Sequence, residues 1–71
     1  MKKRNERITN QVYEYRVLER LSQNELAERI GVSRQTIFLI EKGEGNPSLL
    51  LAFRIATYFG KGIDDIFTYY E

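Results

Sequence analysis

The chain has 71 residues, 42% of them hydrophobic and 30% charged, which sets the scale of one small domain with a single core rather than an enclosed substrate cavity. It contains no cysteine and no histidine, so disulfides, thiolate catalysis and most zinc sites are excluded. Net charge is only +1, but it is unevenly spread: residues 1–20 carry six basic against three acidic groups, residues 21–42 three of each, and residues 43–71 two against four.

The start, MKKRNER, is basic and is followed by polar residues rather than a signal-peptide core. Residues 1–8 read as a flexible basic arm, which either faces phosphate or simply keeps the protein soluble, and residues 9–71 as one domain. No apolar run approaches a membrane span, so a cytoplasmic protein without membrane association is expected. Val12, Tyr15 and Leu18 fall at helical spacing and predict a first helix over roughly 9–20.

Ser22 and Glu25 form a capping box, and Leu26, Ala27 and Ile30 form the inward stripe of a short second helix. Gly31 is placed to end that helix in the left-handed conformation. Val32 plugs the corner and Ser33 caps a third helix reaching about Lys42, with Ile37 and Ile40 inward and Gly43 as its stop. GEGNPS is rich in breakers. Ser48 then caps a fourth helix whose Leu49, Ala52, Phe53, Ile55, Ala56 and Phe59 are more apolar groups than one face hides. Gly60 and Gly62 close it. Asp64 and Asp65 suit the positive end of a short fifth helix, and Ile66 and Phe67 pack it onto the core. No strand-like alternation is evident, so the expected fold is all-α, a compact five-helix domain.

Two short helices joined by a glycine turn can present the second helix to a DNA major groove, which is about 12 Å wide and admits one helix. The outward positions at the start of the third helix are Arg34, Gln35 and Thr36. Gln35 can pair bidentately with adenine, and Arg34 with guanine or a phosphate. Free amides and caps at the starts of helices two and three suit phosphate oxygens. With Ile37 and Ile40 inward, Phe38 or Leu39 must be at least half exposed. Either could touch thymine methyls, pack on a partner protein, or extend the core toward the basic arm.

The segments SQNELAERIGVSRQTIFLIEKG, NPSLLLAFRIATYFG and IDDIF resemble the signature of the phage-repressor-like helix-turn-helix domains (Cro/C1-type, XRE-like) over roughly residues 10–67. The resemblance implies five helices, with Arg34–Glu41 as the recognition helix. It implies Gln23 on a backbone phosphate, Arg34, Gln35 and Leu39 at base edges, and Ser33 and Thr36 near base or phosphate. It further implies Asn46 in a loop approaching the backbone and an Arg16–Glu41 pair tying helix one to helix three, with Arg16 also near phosphate. Such domains bind paired half-sites in double-stranded DNA as homodimers, so transcriptional regulation, and repression in particular, is the expected function. Several positions depart from the family pattern. Arg20 stands where glycine is frequent and predicts mild strain if its backbone is left-handed. Phe38 and Leu39 replace polar residues, Glu44 places negative charge in an often basic loop, and Gly62 replaces a Ser or Thr cap.

The surplus of apolar groups near the C-terminus, Tyr58, Phe67, Tyr69 and Tyr70 among them, suits a two-fold interface; the other reading folds Tyr69 and Tyr70 back as a lid. Catalysis is not expected, because Asp64 and Asp65 are consecutive and no nucleophile–base pair accompanies them. No cofactor and no metal is expected. The competing reading is a protein-interaction module, such as an antitoxin or anti-repressor-like partner, docking through Phe38, Leu39 and the aromatic tail.

Overall fold

A computed structural model describes residues 4–71; Lys2 and Lys3 of the expected arm lie outside the described residues. The elements follow as β1 (Arg7–Asn10), α1 (Val12–Leu18), α2 (Gln23–Ile30), α3 (Arg34–Lys42), α4 (Leu49–Tyr58), α5 (Ile63–Ile66) and β2 (Phe67–Tyr70). The five expected helices are present. Their core is wholly apolar: Val12, Leu26, Ile37, Ile55 and Ile66 are its largest fully buried side chains, and no polar or charged residue is buried among them. Each such aliphatic side chain contributes about 1.5–3 kcal/mol on leaving water.

Local chemistry sets the joints. Ser22 Oγ accepts from the Glu25 amide at 3.0 Å while Glu25 Oε1 accepts from the Ser22 amide at 2.9 Å, the reciprocal box expected at the start of α2. Gly31 takes φ 88°, ψ 36°, and its amide and that of Val32 both return to the Ala27 carbonyl, at 2.8 and 3.0 Å. That turn fixes the α2–α3 corner, since a side chain is strained in this backbone region. Ser33 and Ser48 cap α3 and α4 through the amides of Thr36 and Leu51. At α5, Gly62 offers no side-chain cap, and only the returning half of the box is made, from the Gly62 amide to Asp65 at 2.9 Å. Arg20 adopts φ 56°, the left-handed backbone expected to strain a non-glycine residue here.

The chain ends depart from the sequence reading. Arg7–Asn10 pairs antiparallel with Phe67–Tyr70, Ile8 opposite Tyr69 and Asn10 opposite Phe67, as a two-stranded ribbon added to the helices. Strand β1 therefore spans the boundary expected between residues 8 and 9. The first helix is shorter than the expected 9–20, because Thr9 and Asn10 are taken into β1 and the Gln11 amide donates to the Ile66 carbonyl at 2.9 Å. Phe67 packs on the core as expected, but it does so from an extended conformation (φ −111°, ψ 135°) that ends α5 and opens β2. Among the described residues no helix is long and apolar enough to cross a membrane.

Candidate nucleic-acid interface

The amphipathic spacing of α3 decides what it presents. At 100° per residue, positions 34, 35, 38, 39 and 42 fall within an arc of about 140°, with 37 and 40 on the other side. Ile37 and Ile40 are accordingly buried, Arg34, Gln35, Phe38 and Lys42 are exposed, and Leu39 is half-buried. Arg34 makes no ion pair and Gln35 no hydrogen bond among the described residues, so both heads point to solvent with their donors unused. Phe38 is 39% exposed, and the Lys42 ammonium lies 5.7 Å from its ring centroid, a cation–aromatic contact one helical turn along. Ser33 Oγ and the Thr36 hydroxyl sit 3.0 Å apart; each therefore has a partner already, with Ser33 also holding the Thr36 amide.

The rear of α3 is clamped. Glu41 accepts from Arg16 Nε at 2.6 Å and Nη2 at 3.0 Å, and the Arg16 and Glu41 side chains are only 11% and 6% exposed. Arg16 Nη1 donates to the Leu21 carbonyl at 2.8 Å, so one guanidinium joins α1, the α1–α2 turn and α3. The hydrogen bond to Glu41 raises the Arg16 pKa above its ordinary value against the opposing effect of burial. The Arg16–Glu41 tie expected from the resemblance is thus a bidentate bridge. Gln23, expected at a phosphate, donates its amide to Glu41 Oε1 at 3.1 Å and stands at the first turn of α2 as the third member of the cluster. This contact joins residues 18 apart and is invisible to helical spacing.

One structural residue escaped the sequence reading. Asn10 Nδ2 donates to the Ile40 carbonyl at 2.9 Å while its Oδ1 accepts from the Val12 amide at 3.1 Å. It ties the first amide of α1 to the C-terminal end of α3 with one side chain. The asparagine two residues ahead of a helix start was the available signal. Asn46 lies exposed between Gly45, at φ 72°, and Pro47, in the loop after α3, where it borders Arg7 and Ile8 of β1.

The four aromatic residues expected at a two-fold interface all have contacts within the chain. Tyr58 Oη accepts from Arg29 Nη1 at 2.9 Å, and its ring meets Phe59 edge-on at 5.2 Å. Phe67 is half-buried against the core. Tyr69 donates to Glu6 at 2.8 Å, a bond that raises the phenol pKa, and Tyr70 lies under the Arg7 guanidinium at 4.8 Å. Tyr69 and Tyr70 nevertheless remain 53% and 44% exposed, and Leu18, Leu49 and Leu50 are more so, at 78%, 70% and 64%. No cluster of three acidic side chains able to hold a metal occurs among the described residues.

Comparison with known proteins bears on this geometry. A helix-turn-helix family model matches residues 12–66. An HTH-type transcriptional regulator of Methanocaldococcus jannaschii is 57% identical over 62 residues, covering 87% of this chain and 94% of the relative. The HTH-type transcriptional regulator YgzD of Bacillus subtilis is 47% identical over 60 residues, covering 84% and 91%. Among solved structures, the SOS-response repressor LexA of Eubacterium rectale superposes with a TM-score of 0.72 at 31% identity, over 76% of this chain and 57% of that one. The transcriptional regulator VanUg superposes with a TM-score of 0.77 over 99% of this chain and 93% of that one; at 24% identity it speaks for the fold alone. The chain belongs to the helix-turn-helix family.

Proposed function

We propose that this protein binds double-stranded DNA sequence-specifically as a homodimer on paired half-sites, with α3 in the major groove, and regulates transcription by repression. The observation that carries the reading is the division of α3 into two ends. Its N-terminal head offers Arg34 and Gln35 unpaired to solvent, while its tail is held by Arg16, Gln23 and Asn10. A reading head must be both free of internal partners and rigidly placed, because a bidentate base contact tolerates little misalignment. Gln35 and Arg34 read base edges, and Phe38 and Leu39 lie where thymine methyls pass. Ser33, Thr36, the α2 start at Gln23, and Asn46 serve the phosphates. Arg16, spent on Glu41 and the Leu21 carbonyl, acts by holding α3 rather than by touching DNA. Repression follows as the outcome that requires only occupancy of a promoter. The relatives named as transcriptional regulators support the reading.

The dimer is best served by a face of which the sequence singled out only Phe67 for an interface. Ile8, Pro47, Leu49, Ala52, Ile63 and Phe67 line a groove of about 220 Å³ that contains no charged residue. A two-fold contact brings each residue near its own copy, so an uncharged, apolar lining is what such a contact needs. It adjoins the loop that follows α3, which suits recognition helices held about 34 Å apart, one turn of DNA.

Binding of duplexes selected from a random pool tests the proposal. Gln35→Ala costs about 1–3 kcal/mol on the selected site and little on random duplex. Equal losses on both would remove Gln35 from base reading. Affinity for random duplex should fall steeply with salt as counterions are released, and a flat salt response would leave the protein-interaction reading instead.

A further inference from the structure

Along α4, Leu50, Phe53, Arg54, Thr57 and Tyr58 recur at helical spacing, and with Arg29 and Ile30 at the end of α2 they line an open groove of about 500 Å³. Leu50 is 64% and Phe53 49% exposed, an apolar pair left uncovered by the fold. Neither arginine has a carboxylate within 4 Å among the described residues. Arg29 is pinned at one wall by its 2.9 Å bond to Tyr58, which occupies one of five guanidinium donors and leaves the rest unused. Glu25, one turn back on α2, is held chiefly by Ser22 and feels Arg29 only as a minor influence.

We propose that this α2–α4 groove docks an acidic amphipathic helix of a partner protein, its apolar stripe on Leu50 and Phe53 and its carboxylates on Arg29 and Arg54. Two walls formed by helices, with an apolar floor between unpaired cations, match the helix-in-groove mode of recognition, and the charge fixes the partner's sign. A second copy of this chain does not fit. A two-fold contact centred here would set Arg29 and Arg54 against their own copies, gathering like charge at the centre of the interface. No residue of α3 or of the following loop lines the groove, so partner and DNA can be held together.

The test uses two synthetic helical peptides of about 16 residues, roughly four turns, with the same leucine stripe flanked by Glu in one and by Lys in the other. Binding is followed by fluorescence anisotropy and by amide shifts on wild type, Arg54→Glu and Leu50→Ser. Both substituted side chains are exposed, and thermal melts confirm that the variants fold. The Glu peptide should saturate the wild type, with shifts on α4 and the end of α2, and should weaken about tenfold or more on Arg54→Glu, where the Lys peptide gains. Leu50→Ser weakens both. The proposal is overturned if the Glu peptide fails to saturate by about 1 mM, or if both peptides bind wild type equally. Displacement of the peptide by duplex DNA, or loss of self-association in Arg54→Glu, also overturns it, the latter because it would give the groove to a second copy. The peptide measurements need no DNA, so their failure leaves the DNA-reading proposal standing.

Discussion

Arg16→Ala is the sharpest perturbation available to this fold. The substitution removes two bonds to Glu41 and one to the Leu21 carbonyl, and leaves a carboxylate whose side chain is 6% exposed facing only the Gln23 amide. Breaking a fully buried ion pair from one side costs about 3–5 kcal/mol, because the remaining charge stays desolvated. The lower figure is the ceiling here, since Arg16 and Glu41 are part-buried and Gln23 still donates one bond to Glu41. For a domain of this size, about 3 kcal/mol lowers Tm by roughly 12–24 °C. The mechanism is separable from simple loss of packing by a double-mutant cycle. Glu41→Met strands the guanidinium instead, while Arg16→Ala with Glu41→Met removes both charges and should cost clearly less than the two single changes together. Chemical and thermal denaturation of the four proteins supply the cycle. A single-mutant loss below about 1 kcal/mol would show a pair of the weak surface kind, and strictly additive costs would show no coupling. Either result refutes the clamp, and with it the claim that Arg16 serves recognition by fixing α3.

Other consequences are more local. Arg20→Gly relieves the left-handed backbone at φ 56° and should stabilise the protein by about 0.5–1 kcal/mol in urea titrations, whereas unchanged stability would mean that the turn carries no strain. Glu25 titrates below the usual carboxylate range because the Ser22 amide and hydroxyl favour its charged form. Its folded pKa is the depressed one, so the capping box contributes above the unfolded pKa and that contribution is lost as pH falls through the folded value. Glu25→Gln should therefore flatten the acid limb of the stability–pH curve, and an unchanged limb would contradict the assignment. Leu49→Lys places charge in the uncharged groove beside Ile8 and Phe67 and should shift sedimentation toward monomer while melting stays close to wild type; persistence of the dimer would move its interface elsewhere.

What the sequence made legible was what lies within a few residues of itself. Ser22 with Glu25, Ser33 with Thr36, and Gly31 each act inside one helical turn, and their residue types announce the geometry they adopt. The periodic placement of Ile37 and Ile40 likewise fixes which side of α3 faces out. The ribbon was not legible, because RITN and FTYY are four residues each, too short for alternation to declare itself, and each finds its partner some 60 residues away. Distance also hid the second duties of known residues. Gln23, expected on a phosphate, also gives one of its two amide donors to Glu41 from the far end of α3. Tyr58, expected as interface area, also accepts from Arg29 through its hydroxyl. In both cases the added partner comes from another element.

That distinction bears on how recognition is built. The side chains expected to read bases need no long-range partner, and they have none: Arg34 and Gln35 stand where helical phase alone puts them. Their support is the reverse. Arg16, Gln23 and Asn10 come from α1, α2 and β1, and all three converge on Ile40 and Glu41, within the last turn of the same helix. Helix α3 is thus anchored at its tail by side chains from three other elements, while its head presents side chains without internal partners. Substitutions at the head should change which sequence is preferred, and substitutions at the tail should weaken every sequence alike. A clamp change that altered the preferred sequence without loss of overall affinity would show that the two ends of α3 are not separate in function.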